Sequence, residues 1–166
     1  MPTNFRALTA ILAMAALMPF SAFAQGAAIT FGGIRADTSL PVEVTADQLN
    51  VSQTDGTATF TGNVLIGQGD MRLSADEVLV EYGGQDRTRI ERLHAKGGVT
   101  LVNGAEAAEA QEAVYSVTAG EVVMTGSVLL TQNGSTIAGE RLVVDLASGT
   151  GRMEGRVKTV LQPGAN

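Results

Sequence analysis

A unit of 29 residues recurs four times along this chain of 166, and that recurrence limits the folds open to it. Each copy opens on a small residue, then in most copies an acid or amide, then alternating apolar positions. The four openings are Ala46-Asp47-Gln48-Leu49-Asn50-Val51, Ala75-Asp76-Glu77-Val78-Leu79-Val80, Ala110-Gln111-Glu112-Ala113-Val114-Tyr115 and Gly139-Glu140-Arg141-Leu142-Val143-Val144. Sixteen residues on comes a Gly-x-Val signature, Gly62-Asn63-Val64, Gly126-Ser127-Val128 and Gly155-Arg156-Val157; in the second copy it is Gly97-Gly98-Val99, six residues later. The openings start at 46, 75, 110 and 139, steps of 29, 35 and 29, so one loop insertion near Gly83 to Thr88 accounts for the odd step. A fixed period of this length predicts a stacked, quasi-one-dimensional architecture. Function then belongs to a long surface or groove rather than a compact catalytic pocket.

Within the repeat the apolar residues alternate. Ala58, Phe60, Gly62, Val64 and Ile66 share one parity, opposite Thr57, Thr59, Thr61 and Asn63. Leu93, Ala95, Gly97, Val99 and Leu101 repeat it in the second copy, Val122, Met124, Gly126, Val128 and Leu130 in the third, and Met153, Gly155, Val157 and Thr159 in the fourth. Period two marks strands with one dry and one wet face. The stretch 105–113 has helical composition, but its alignment with the other openings makes it loop, then strand.

The parity slips at each opening motif. Val42, Val44 and Ala46 give way to Leu49 and Val51; Met71, Leu73 and Ala75 give way to Val78, Val80 and Tyr82. A one-residue slip sends every side chain to the wrong face unless the backbone bulges there. Asp47, Asp76, Gln111 and Glu140 therefore mark corners, where short polar side chains bond local backbone; the competing reading is a metal or catalytic set. The recurrent glycines fall on the inward parity. Glycine within a strand costs ~0.5–1 kcal/mol relative to alanine, so these positions require a tight bend or a close approach of backbone, or else a ligand passing over them.

The first 24 residues read as an export signal. Arg6 is the basic start, residues 7–20 are apolar, and Ala22-Phe23-Ala24 forms a small-x-small cleavage site before Gln25. No cysteine stands near Ala24, so no lipoprotein anchor is expected. Residues 25–40 are rich in Gly and Ala and read as a flexible leader, residues 41–163 as the folded domain, and 164–166 as a frayed end. Zero cysteines in an exported chain means stability without disulfides and fits a bacterial periplasm. Without Arg6, ten Lys and Arg face seventeen Asp and Glu, a balance that argues against nucleic acid and anionic lipid surfaces.

Enzyme chemistry has no foothold in the sequence. His94 is the one histidine and sits on the outward parity, where solvent is expected to reach it. No serine has a nucleophile's context, and no zinc spacing or phosphate loop is present. No catalytic residue, metal or cofactor is expected.

Thr59-Phe60-Thr61-Gly62-Asn63-Val64, Ala75-Asp76-Glu77-Val78-Leu79-Val80 and the closing Val157-Lys158-Thr159-Val160-Leu161-Gln162-Pro163 resemble the OstA-like family, over residues 41–163. The resemblance implies an all-β fold, a twisted antiparallel β-jelly roll of four repeats open at both ends. It also implies a bridge that carries lipopolysaccharide from an inner-membrane export complex to an outer-membrane translocon, with members joining head to tail through terminal strands.

On that reading the inward parity is a lining for the acyl chains of lipid A. The candidates are Val44, Phe60, Val64 and Ile66 in the first copy; Leu73, Val78, Val80, Leu93, Val99 and Leu101 in the second; Tyr115, Met124, Val128 and Leu130 in the third; and Leu142 in the fourth. A closed core would use the same residues. Arg72, Arg87, Arg89, Arg92 and Lys96 gather around the insertion, either as a solvated loop or as phosphate contacts. The stack ends, with Val42 and Val44 at one and Val157, Thr159 and Leu161 at the other, offer unpaired backbone for strand addition. The first would meet the inner-membrane partner and the second the outer-membrane partner, or a further copy of the chain. Rival readings are a membrane-anchored inner-membrane partner of the same fold and a structural β-stack or adhesin without lipid cargo.

Overall fold

The computed structural model of the chain describes residues 27–30, 34, 36–84, 86 and 88–162. The expected cleavage site at Ala24 and Gln25, with the export segment before it, lies outside the described residues, as do Arg87 and residues 163–166. Eleven strands follow one another: β1 (Ala27–Thr30), β2 (Glu43–Thr45), β3 (Gln48–Ser52), β4 (Thr57–Gln68), β5 (Met71–Gly83), β6 (Arg89–Asn103), β7 (Glu106–Ser116), β8 (Glu121–Gln132), β9 (Ser135–Asp145), β10 (Thr150–Glu154) and β11 (Lys158–Val160). They form one antiparallel sheet in the order β1-β10-β9-β8-β7-β6-β5-β4-β2, with β3 also on β4 and β11 also on β9. The sheet does not close on itself. From β4 to β10 each strand pairs with its neighbours in sequence, the stacking that the repeat demands. The stretch 105–113 is strand, in β7, as its alignment required.

At every layer the ladder breaks at the same place. Between β4 and β5 the register passes from Thr61–Glu77 to Val64–Ala75, so Gly62 and Asn63 face Asp76 alone. The same two-against-one bulge sets Gly97 and Gly98 against Gln111, and Gly126 and Ser127 against Glu140. Both residues of each pair are left-handed, with φ +80° and +46° at Gly62 and Asn63. A Cβ on Gly62 would lie 2.6 Å from Asp47 Oδ2, so the close approach and the bend inferred from sequence coincide there. The Asp47 amide donates to Gly62 O at 2.9 Å, and Asn63 Nδ2 donates to Asp47 Oδ2 at 2.8 Å. One extra residue on one strand is what keeps the apolar set inward after the parity slip.

Inward residues from both sides of the corners join one core. The sheet is therefore folded along the line of corners into two walls. β3 and β10 lie in the first wall and β2 and β11 in the second, while each long strand gives one half to each. Val64, Val78, Val99, Met124, Leu142 and Met153 are all at most 1% exposed between them. Each such side chain contributes about 1.5–3 kcal/mol relative to an exposed position. The hairpin turns form the free rims, and the mouth between the rims is the long opening of the fold.

Part of the segment read as a flexible leader lies among the described residues. β1 pairs along the outer edge of β10, with Ala27 opposite Met153 and Thr30 opposite Thr150. Ile34 is fully buried in the core. The Ala36 amide donates to Leu146 O, on the first wall's rim, at 3.3 Å. Gln68 Nε2, on the second wall's rim, donates to Leu40 O at 2.9 Å and Thr38 O at 3.3 Å. The chain thus passes from one rim to the other over the mouth. An apolar anchor in a Gly- and Ala-rich stretch has no period, so alternation gave no sign of it.

Candidate functional site

The space between the walls is the site. Val64, Ile66, Leu73, Val78, Val80, Leu93, Val99, Leu101, Tyr115, Met124, Val128, Leu130 and Leu142 all stand in it, none more than 3% exposed. Val44 and Phe60 pack against the same core half-buried, toward the β2–β3 end. There a cleft of about 290 Å³ is lined by Leu49, Val51, Phe60, Tyr82 and their neighbours, so the apolar interior meets solvent at that end. The lining runs through every layer without a charged side chain until the rim.

Sequence reasoning missed the polar residues at the rim of the second wall. Gln68 and Asn103 are buried and Gln132 is half-buried. Each stands six residues after a repeat glycine, at Gly62, Gly97 and Gly126, and each continues the inward parity of its strand. That phase was the available signal. Tyr115 Oη, from the first wall, donates to Gln68 Oε1 at 2.6 Å, and burial pushes the tyrosine pKa up while that bond pulls it back. Gln132 Nε2 donates to Glu106 Oε1 at 2.6 Å.

Among the described residues the two ends of the sheet keep free edges: β2 and β3 pair only with β4, and β11 only with β9. Val42 is half-buried beside β2, while Val157, Thr159 and Leu161 are exposed. Val157 and Thr159, read as continuing the inward face, emerge because no further layer covers them. At the other half of that end, β10 already has β1 on its outer side.

The described basic residues have separate surroundings. Arg72 Nη1 bonds Met71 O at 2.8 Å and Gly69 O, tying the β4–β5 turn. Arg92 pairs with Glu81 at 3.3 Å, and Lys96 lies across from Glu77 and Glu112. Arg89 is exposed beside the insertion. His94 is less solvated than expected, with its Nε2 3.2 Å from Glu112 Oε2. The corner residues Asp47, Asp76, Gln111 and Glu140 lie one to a layer. Among the described residues no three His, Cys, Asp or Glu side chains form a group able to hold a metal.

Residues 43–150 match the family described as LptA/(LptD N-terminal domain) LPS transport protein. The chain belongs to this family. The LptA/LptD N-terminal family is one of transport proteins and not of enzymes. The lipopolysaccharide export system protein LptA of Escherichia coli K12 is 28% identical over 145 residues, covering 84% of this chain and 74% of its own length. An uncharacterized protein of Rhizobium meliloti is 28% identical over 159 residues, 90% of this chain and 86% of that one. Among solved structures, LptH of Pseudomonas aeruginosa superposes with a TM-score of 0.69 at 22% identity, covering 77% of this chain and 99% of that one. LptH is described as the LptA-homologous periplasmic component of a lipopolysaccharide transport device. The fold is therefore LptA-like, and the open antiparallel sheet described above is the family's fold.

Proposed function

We propose that this chain is a periplasmic carrier that takes lipopolysaccharide from the inner to the outer membrane, its acyl chains held between the two walls. The architecture on this reading is a twisted β-jelly roll of four repeats spanning residues 41–163, exported by a cleaved signal peptide. The observation that carries it is the uninterrupted apolar lining, contributed in turn by every layer from Val44 to Leu142. Bringing an acyl chain of about a dozen carbons into water costs roughly 10 kcal/mol at ~0.8 kcal/mol per methylene. A carrier therefore needs apolar contact along its whole length, which charged contacts do not replace. Family membership and the relatives' names support the same cargo.

The free edges of β2–β3 and β11 serve assembly. The first receives a strand from the inner-membrane export complex, and the second gives one to the outer-membrane translocon or to another copy, head to tail. Leu49, Val51, Val160 and Leu161, all exposed beside those edges, supply apolar contacts. The head groups stay outside the walls, since the basic side chains are spread over turns and cross-strand acids.

A second reading, a structural stack without cargo, draws on one observation: from Val64 to Leu142 the lining is no more than 3% exposed. A photo-crosslinking residue at Phe60 or Val128, with outward Thr59 as control, decides between them in the presence of purified lipopolysaccharide. Adducts at the inward positions alone support the carrier. Their absence in a folded protein leaves the stack.

A further inference from the structure

Away from the cleft at the β2–β3 end the lining is no more than 3% exposed, so cargo lying along it must displace what covers it. Something must leave the mouth first, and the chain passing over it is held there differently from the strands beneath. Among its described residues after Ile34, the Ala36 amide donates to Leu146 O at 3.3 Å, and the Thr38 and Leu40 carbonyls accept from a single side chain, Gln68. Ile34 is its fully buried apolar side chain, with Ala36 packed half-buried against the same core. Asp37 and Ser39 instead bond to each other, with Asp37 Oδ1 accepting from the Ser39 amide at 3.0 Å and from its hydroxyl. Ser39 and Leu40 are exposed above the mouth and Thr38 is half-buried.

What this segment presents to the groove has the chemistry of a lipid. Ile34 offers a branched hydrocarbon to the same core as Leu146 and Met153. Thr38 and Leu40 offer carbonyl oxygens to an amide donor at the boundary between the apolar lining and solvent. An acylated glycolipid offers the same two things in the same order: hydrocarbon inside, then ester and amide carbonyls at the level where the chains join the sugar. Gln68 is also held from the other wall by Tyr115, so its donors are already aimed at whatever lies across the mouth. The repeat places Asn103 and Gln132 at the equivalent rim positions of the next two layers.

We propose that Ile34 and residues 36–40 are an internal stand-in for cargo: Ile34 occupies acyl-chain space, the Thr38 and Leu40 carbonyls occupy the polar contacts of Gln68, and entry of an acylated glycolipid displaces them. This rests on the carrier reading and adds to it a closed, self-occupied state and a named donor for the lipid's carbonyls. Empty carrier then shows water little of its lining, and cargo exchanges for strap rather than for solvent.

The absence of cysteine makes a clean test. Ala28 lies directly opposite Arg152 in the β1–β10 pair, and Arg152 is exposed. Directly opposed antiparallel residues have Cα separations of about 4.5–5.5 Å, within disulfide reach. The Ala28→Cys, Arg152→Cys protein is compared oxidised and reduced, beside wild type and Ile34→Ala, for binding of purified lipopolysaccharide. The reduced form is expected to match wild type, the oxidised form to bind at least tenfold more weakly, and Ile34→Ala to bind several-fold more tightly. Equal affinity of the oxidised and reduced forms overturns the stand-in while leaving the carrier intact. A folded set in which no form binds refutes the carrier reading and the exchange with it. Native-state hydrogen exchange adds an arm that needs no lipid: the Ala36 amide is expected to exchange at least a hundredfold faster than amides of β6. Equal protection overturns removability.

Discussion

Tyr115 and Gln68 are 47 positions apart and on strands that do not pair, yet the tyrosine hydroxyl donates to the Gln68 carbonyl oxygen at 2.6 Å across a dry interior. This bond joins the first wall to the second, and the same glutamine holds the chain that passes over the mouth. Both side chains are at most 2% exposed. A buried polar pair of this kind stabilises little when complete and costs much when halved.

Tyr115→Phe is accordingly expected to destabilise the fold by ~1–3 kcal/mol, the desolvation cost of leaving the Gln68 acceptor short of its partner. Tyr115→Phe with Gln68→Leu is expected to cost less than the sum of the two single changes, since both ends of the bond go together. Urea unfolding of the four proteins measures the difference; strict additivity would show that the two residues do not act as a pair.

The same tyrosine gives an alkaline limit. Burial raises its folded pKa above the unfolded value of ~10. Below that value the protonated phenol is present in both states and its stabilisation is complete. As pH climbs past it the unfolded state loses the proton first, so stability falls until the folded pKa is passed. Between pH 9 and about 11, wild type is expected to lose stability more steeply than Tyr115→Phe, read from unfolding midpoints at each pH.

The corners predict opposite signs for adjacent positions. Gly126 has φ +87°, and a Cβ there would lie 2.8 Å from Gln111 Cβ. Gly126→Ala is expected to cost ~1–3 kcal/mol, from left-handed strain plus the contact. Ser127, at φ +51°, already bears that strain, so Ser127→Gly is expected to be neutral or to stabilise by up to ~1 kcal/mol. Thermal or chemical denaturation checks both, and a costly Ser127→Gly would overturn the account of the corner.

For the free edges, Leu49 and Val51 are more than half exposed on β3, which among the described residues has no neighbour beyond β4. Leu49→Lys with Val51→Lys is expected to leave the unfolding free energy within ~0.5 kcal/mol. It should abolish concentration-dependent self-association or partner capture through that edge, because charge on an edge strand blocks strand addition. Sedimentation over a range of concentrations reads the outcome.

Much of this was written in the order of residues. Alternation from Ala58 to Ile66 and its slip at Asp47 and Asp76 placed the strands, the corners and the inward face, because a strand's period is two and a bulge is the only way to keep faces aligned across a slip. Three things lay outside the reach of periodicity. Ile34 joins a core whose members Leu146 and Met153 are more than a hundred residues away. The buried amides Gln68 and Asn103 stand where polarity alone argues for solvent; for Gln68 the opposite wall and the passing chain supply the bonds. His94 was read as solvated because alternation says which face a side chain is on, not that Glu112 waits beside it on β7.

The bend between the walls is shared out. Gly62, Gly97, Gly126 and Gly155 each turn one layer through the same two-residue step, so the line they draw behaves like the spine of a bound book, with no leaf acting as the hinge. Spreading the covers to take a thicker cargo asks for a few degrees at each layer and breaks no ladder. Stiffening one leaf by substitution leaves the others free to turn. On the proposed carrier reading, width between the covers is set by what lies inside them, and a single spine would take acyl chains of differing number and length.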